Sequence, residues 1–242
     1  MAPPVTAAGH WSLGHVEWQS RSDPGMNILN LDPDQLAAYV RRQLLNLLPM
    51  NEGPDSRLIE VHLPAALARL ERCIAGVKIW KPGQFDVLHS SQYCIFLYYL
   101  ANTIWRTEQS ADICTRLFLL NKALNGIDCF YEVELPEVFF IGHSVGIVLA
   151  KATYGNYLVL YQNSTVGKNH GVAPVLEDRV VLYPNTAVIG RCRIGGGSLI
   201  SQGVSVVNQN TPANSAVFAK DGRSLVFKRL ERDVFADFFR DA

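Results

Sequence analysis

The chain has 242 residues, 48% hydrophobic and 18% charged, enough apolar material for one large domain or two modest ones and too much for a disordered chain. Its 22 basic and 22 acidic residues cancel, so no long-range field favours nucleic acid or an anionic membrane surface. Five cysteines (Cys73, Cys94, Cys114, Cys129 and Cys192), an odd number without CxxC spacing, speak against a disulfide frame and for reduced thiols in a cytoplasmic protein.

Residues 1–25 lack the apolar core of a signal peptide and read as a disordered leader ahead of Met26. From there the period is helical. Asp32 as N-cap and Pro33 at the first position open a helix that stops at Pro49, with Leu36, Val40, Leu44 and Leu47 on one face. A second helix is predicted over 64–76, from Pro64 to Gly76, carrying Leu67, Leu70 and Ile74 at helical spacing. Two more are predicted over 91–106 and 111–124, with Gly126 as breaker. The apolar run "YCIFLYYLANTIW" (93–105) is too short for a bilayer and contains an Asn, so it reads as a buried helix.

After Leu135 the period becomes six. Leu135, Ile141, Ile147, Thr153, Val159 and Thr165 form one series; after a jump of eleven, Leu176, Leu182, Val188, Ile194, Ile200 and Val206 form another. A six-residue period belongs to the hexapeptide parallel β-helix, whose short strands stack in triangular coils. Gly167, Gly190, Gly195, Gly196, Gly197, Gly203, Asn185 and Asn208 crowd the expected corners. The jump, six plus five, predicts a loop of about five residues extruded at "VGKNHGVAPV", a natural place for a site. The end, "LVFKRLERDVFADFF", reads as a last strand and a short amphipathic helix. The division expected is therefore a leader at 1–25, an α-helical domain at 26–127, the β-helix at 128–229 and a tail or short helix at 230–242, an α+β chain.

Several segments resemble the serine acetyltransferase branch of the hexapeptide-repeat acyltransferases. Those enzymes carry a "DH.TGIV" type segment where this chain has "GHSVGIV", and an aspartate fifteen residues before that histidine, where Asp128 stands before His143. They extrude a loop two turns later, here "KNHGVAPVL", and "LYYLANTIW" and "LFLLNKALNGID" are similar to the last helices of their N-terminal domain. The resemblance implies an all-α N-terminal domain followed by a left-handed parallel β-helix, and an acetyl-CoA-dependent O-acetyltransferase. It makes His143 the general base, Asp128 its orienter, and His170 a substitute for a loop histidine that otherwise falls on Ala173–Pro174. A positioned imidazole contributes roughly 10²–10⁴-fold to such a step. For the CoA groove it points to Gly190, Ser201, Ala219, Lys220 and Arg223. It also implies a homotrimer, with a dimer of trimers through the helical domains, for which "CIFLYYLANTIW" supplies the apolar surface.

Two departures bear on the acceptor. Gly142 stands where the serine enzymes have a substrate-contacting aspartate, and "GVKIWKP" offers no second acid. An amino-acid ammonium wants a carboxylate partner, which argues against free serine; "FIGHSVGI" is similar instead to the branch that acetylates sugar hydroxyls, so the resemblance implies a sugar or polysaccharide hydroxyl as acceptor, with free serine as the alternative and a non-catalytic β-helix scaffold as a third reading. No metal is expected: a zinc site of this fold needs three histidines from neighbouring coils, and the β-helix has only His143 and His170.

Overall fold

The computed structural model describes residues 26–49, 53–221 and 224–240. The leader expected at 1–25 and the candidate Arg223 lie outside them. Pro33–Gln35 form a 3₁₀ turn, capped by Asp32, whose carboxylate accepts from the Asp34 N–H, and it runs into α1, Leu36–Leu47. Leu36, Val40 and Leu44 are buried as the spacing predicts, while Leu47 is exposed. The second helix, α2, is Leu58–Gly76 and starts well before Pro64, which lies inside it. α3 is Ser90–Glu108 and α4 is Ala111–Asn125, ended by Gly126 at φ +66. Two short strands, β1 (Asn27–Leu29) and β2 (Gln84–Asp86), pair in parallel within this otherwise helical region.

α3 packs between α2 and α4, and every residue from Ser91 to Ile104 is buried. Its apolar face is therefore core and not the subunit-pairing surface expected from the sequence. Its polar groups hold the chain that leads to the next domain. Asn102 Nδ2 donates to Tyr131 O at 2.8 Å, and the Tyr98 hydroxyl donates to Val133 O and accepts from the Leu135 N–H. No helix of the described residues is long and apolar enough to cross a membrane, and all five cysteines are free and buried.

The β-helix begins with β3 (Asp128–Cys129). Its first coil holds β4 (Phe139–Ile141), β5 (Val148–Leu149) and β6 (Thr153–Tyr154); the second β7 (Leu158–Leu160), β8 (Thr165–Gly167) and β9 (Val175–Leu176). The third holds β10 (Val180–Leu182), β11 (Ala187–Ile189) and β12 (Arg193–Ile194). β13 (Ser198–Ile200) and β14 (Ser205–Val207) follow, and the hairpin of β15 (Ser215–Lys220) and β16 (Ser224–Arg229) closes the stack. The parallel strands form three faces: β4-β7-β10-β13-β15 first, β3-β5-β8-β11-β14 second, and β6-β9-β12 third. This is the left-handed parallel β-helix, behind four helices.

The second hexapeptide series is inward as expected: Leu176, Leu182, Val188, Ile194, Ile200 and Val206 are all fully buried, with Leu176 over Ile194, Leu182 over Ile200 and Val188 over Val206. The first series slips by two at the first corner, where Leu149 and not Ile147 is in register with Val166, and by one from there on, because Leu149 to Tyr154 is only five residues. Tyr154, Leu160 and Val166 are the residues in register with Leu176, Leu182 and Val188, while Thr153 is exposed. The step from Val166 to Leu176 is thus ten residues, and the extruded loop adds four residues, not five. The cause lies upstream: Ile141 to Leu149 spans eight residues where six would do, so the first corner, Gly142 to Ile147, is itself widened.

Beyond β16 the chain does not end on a free amphipathic helix. It folds back along the first face through a 3₁₀ turn, Phe235–Asp237, and reaches the helical domain. Phe238 meets Phe140 (6.1 Å) and Phe239 meets Tyr157 (5.3 Å). The Arg240 guanidinium donates to the carbonyls of Ala75, Val77, Lys78 and Trp80 at the exit of α2.

Candidate active site

The widened corner follows β4 and is fastened on three sides. The Ser144 hydroxyl donates to Asn125 O (2.6 Å), and the Gly146 N–H donates to Gly126 O (2.9 Å), both at the end of α4. Ser91, in the first turn of α3, donates to Gly142 O at 3.4 Å. From the second coil, Leu160 O accepts from the Gly142 N–H and the Asn163 N–H donates to Val145 O, each at 2.9 Å. His143 sits on this fixed backbone with its side chain exposed. Among the described residues its ring has no hydrogen-bonding partner. An imidazole on a rigid corner, open to an incoming hydroxyl, has what a general base requires.

Asp128 is brought to the same corner: its N–H donates to Ile147 O (2.8 Å), and it pairs with Val148. Its carboxylate, however, is bound by Lys122 Nζ at 2.5 Å and not by His143. His170 lies at the tip of the extruded loop, where Asn169 and Val172 exchange backbone hydrogen bonds; His170 (φ +47) and Gly171 (φ +79) take the positive φ of a tight hairpin turn. That tip is exposed, at the edge of the second face opposite His143.

Gly190 (φ +79) supports the loop's base, since a Cβ there would fall 2.7 Å from the Asn169 Cβ and 2.2 Å from Asn208 Oδ1. Ser201 stands in the corner line of His143, on the fourth coil, its N–H donating to Val217 O. Ala219 and Lys220 are exposed at the end of β15. The described residues contain no group of three or more His, Cys, Asp or Glu that could hold a metal ion.

Sequence reasoning missed the aromatic line beside His143. Gly142, Tyr161, Tyr183 and Ser201 follow one another up the corner, each N–H donating to the next coil. Tyr161 and Tyr183 stack at 5.6 Å with planes 7° apart, and a Cβ at Gly142 would lie 2.5 Å from Tyr161 Cε1. Burial, reinforced by Tyr183, pushes the Tyr161 hydroxyl above its ordinary pKa. The signal was present as a repeat: "LVLYQN" (158–163) and "VVLYPN" (180–185) lie twenty-two residues apart, one coil plus four.

Fold and site together define a hexapeptide-repeat β-helix protein with a helical N-terminal region. The proteins it is similar to are serine acetyltransferases. It is 30% identical over 128 residues to the serine acetyltransferase of Synechococcus elongatus, 49% of this chain and 51% of that one. A second, plasmid-borne serine acetyltransferase of that organism is 30% identical over 113 residues, 41% of this chain and 35% of that one. The chain thus spans about half or less of the length of the curated relatives it matches. Among solved structures, serine acetyltransferase isoform 3 of Entamoeba histolytica in complex with cysteine aligns with a TM-score of 0.59 at 18% identity, over 81% of this chain and 74% of that one. Neisseria gonorrhoeae serine acetyltransferase in complex with serine gives 0.60 at 16%, over 80% and 83%. No family model matches. The chain is thus similar to serine acetyltransferases in sequence over about half its length and in fold over most of it.

Proposed function

We propose that the chain is an acetyl-CoA-dependent O-acetyltransferase with His143 as general base. The observation that carries this reading is the exposed His143 imidazole on a corner fastened to α3, α4 and the second coil. The imidazole takes the proton of the acceptor hydroxyl as its oxygen attacks the thioester carbonyl. A C–O bond forms, the tetrahedral intermediate collapses, the C–S bond breaks, and the imidazolium returns the proton to the CoA thiolate. The nucleotide runs past Gly190, Ser201, Ala219 and Lys220.

The acceptor best supported by the relatives is serine, ahead of the sugar hydroxyl expected from the sequence. The glycan reading keeps one observation of its own, the Tyr161 ring lying over Gly142 where a carboxylate would be needed. The working unit is a trimer formed through the second face, whose outward Val148 and Val207 are 43% and 49% exposed beside Val145 at 65%. That face runs between the His143 corner and the His170 loop, so packing copies against it would bring one subunit's loop toward its neighbour's base. The test is thiol release from acetyl-CoA with serine, homoserine and a panel of nucleotide sugars and glycans. Serine-dependent release is expected. Release only with glycans would move the acceptor. No release and no thermal stabilisation by any acyl-CoA would favour the scaffold.

A further inference from the structure

The His143 corner has a ceiling made by the second coil. Gly142 bonds to Leu160 and Val145 bonds to Asn163, so Tyr161, Gln162 and Asn163 lie over residues 142–146. Tyr161 stands over Gly142, and Asn163 over Gly146, whose Cβ would fall 2.1 Å from Asn163 Oδ1. By elimination Gln162 comes over the His143–Ser144 step of the corner, and among the described residues its amide oxygen and the His143 ring are each without a partner. Ser144 is engaged elsewhere, on Asn125 O. The side-chain oxygen of Gln162 is buried and accepts no hydrogen bond among the described residues. Buried polar side chains nearly all have a partner, and one that lacks it calls for an explanation.

We propose that Gln162 is a positioning residue for His143, its amide oxygen accepting one ring N–H so that the other nitrogen faces the acceptor hydroxyl. The inference rests on the reading of His143 as the base. A base that takes a proton on one imidazole nitrogen must carry its N–H on the other, and a fixed acceptor for that N–H selects the tautomer and holds the ring plane. Asp128, which the resemblance makes the orienter, has its carboxylate on Lys122. A neutral amide orients the ring without adding charge beside it. The other titratable groups around the corner are Lys122 on α4, Asp128 on β3, His89 before α3, and Tyr161.

Side-chain NMR of the full chain, with His143 assigned by the signal lost in His143→Gln, reads the pairing without requiring turnover. Wild type is expected to hold one neutral tautomer. Gln162→Glu should keep the ring in the wild-type tautomer, its carboxylate accepting the same N–H. Gln162→Leu should release the ring to a mixture of tautomers. In the acetyl-transfer assay Gln162→Leu should lower kcat by about tenfold or more at unchanged acceptor KM, the mark of a misplaced base, and Gln162→Asn should fall between. A mixture of tautomers in wild type, or a tautomer unchanged in Gln162→Leu, would overturn the assignment. Turnover absent in wild type, with the NMR coupling present, would instead count against the acetyltransferase reading alone.

Discussion

His143 is exposed on the widened corner and owes its fixed position to the hydrogen bonds at Gly142, Ser144 and Gly146. Gly142 is constrained by its neighbour as well. A methyl at 142 collides with the Tyr161 ring, so Gly142→Ala should cost roughly 1–3 kcal/mol in chemical denaturation, the range for an overpacked site. Adding Tyr161→Ala removes the obstacle, so the double variant should lose less than the sum of the two single variants; strict additivity would mean the ring does not set the residue at 142. The thiols make a second case at this scale. Burial raises Cys73 to about 11 and Cys94 and Cys114 to about 12. At pH 8 an aromatic disulfide reagent should leave native protein nearly unlabelled and react with all five cysteines in denaturant. Fast labelling of the native chain would contradict the buried placement of these helices.

At the scale of elements, the C-terminal strap is the feature whose contacts span the molecule. Arg240 meets four carbonyls at the end of α2, where a helix has unpaired acceptors and a cation is favoured. Arg240→Met should lower unfolding free energy by about 1–3 kcal/mol, the scale of charge-assisted hydrogen bonds, measured by urea titration. Glu177, in the corner after β9, accepts from the Gly196 N–H at 2.8 Å and pairs with Arg193 at 2.6 Å. That N–H first, and Arg193 after it, holds the carboxyl below the usual carboxylate range. A depressed carboxyl adds stability above its unfolded pKa of about 4.3 and loses it as pH falls through the lower folded value. Glu177→Gln should therefore melt below wild type at pH 7, with the two curves converging in strong acid. A constant gap at all pH values would refute the ionic account.

Over the whole molecule, the parts legible in sequence are those set by local periodicity. The series from Leu176 to Val206 reads correctly because each coil there has eighteen residues and each sixth side chain must point inward. The register before it slips because the widened corner at Gly142–Ile147 and the extruded loop each add residues that no period announces. Likewise α2 begins ahead of Pro64, because Ile59 and His62 are buried by continuing the helix, which offsets the hydrogen bond and the fit lost at the proline. At the site, the sequence pointed to His143 and Gly142. The Lys122 hold on Asp128 and the Tyr161–Tyr183 stack depend on contacts between coils and helices, which spacing does not encode. Assembly belongs to this scale too. Val148→Glu with Val207→Glu should convert the proposed trimer to monomers in light scattering and abolish turnover, and an unchanged mass would remove the second face as the contact.

The central claim is that His143 takes the acceptor proton. It is tested most directly by steady-state acetyl transfer from acetyl-CoA in wild type and His143→Ala, with thermal shift by CoA as the control for binding. The account expects kcat to fall by at least about 10²-fold while CoA still stabilises the variant. Turnover near the wild-type rate in His143→Ala would contradict it.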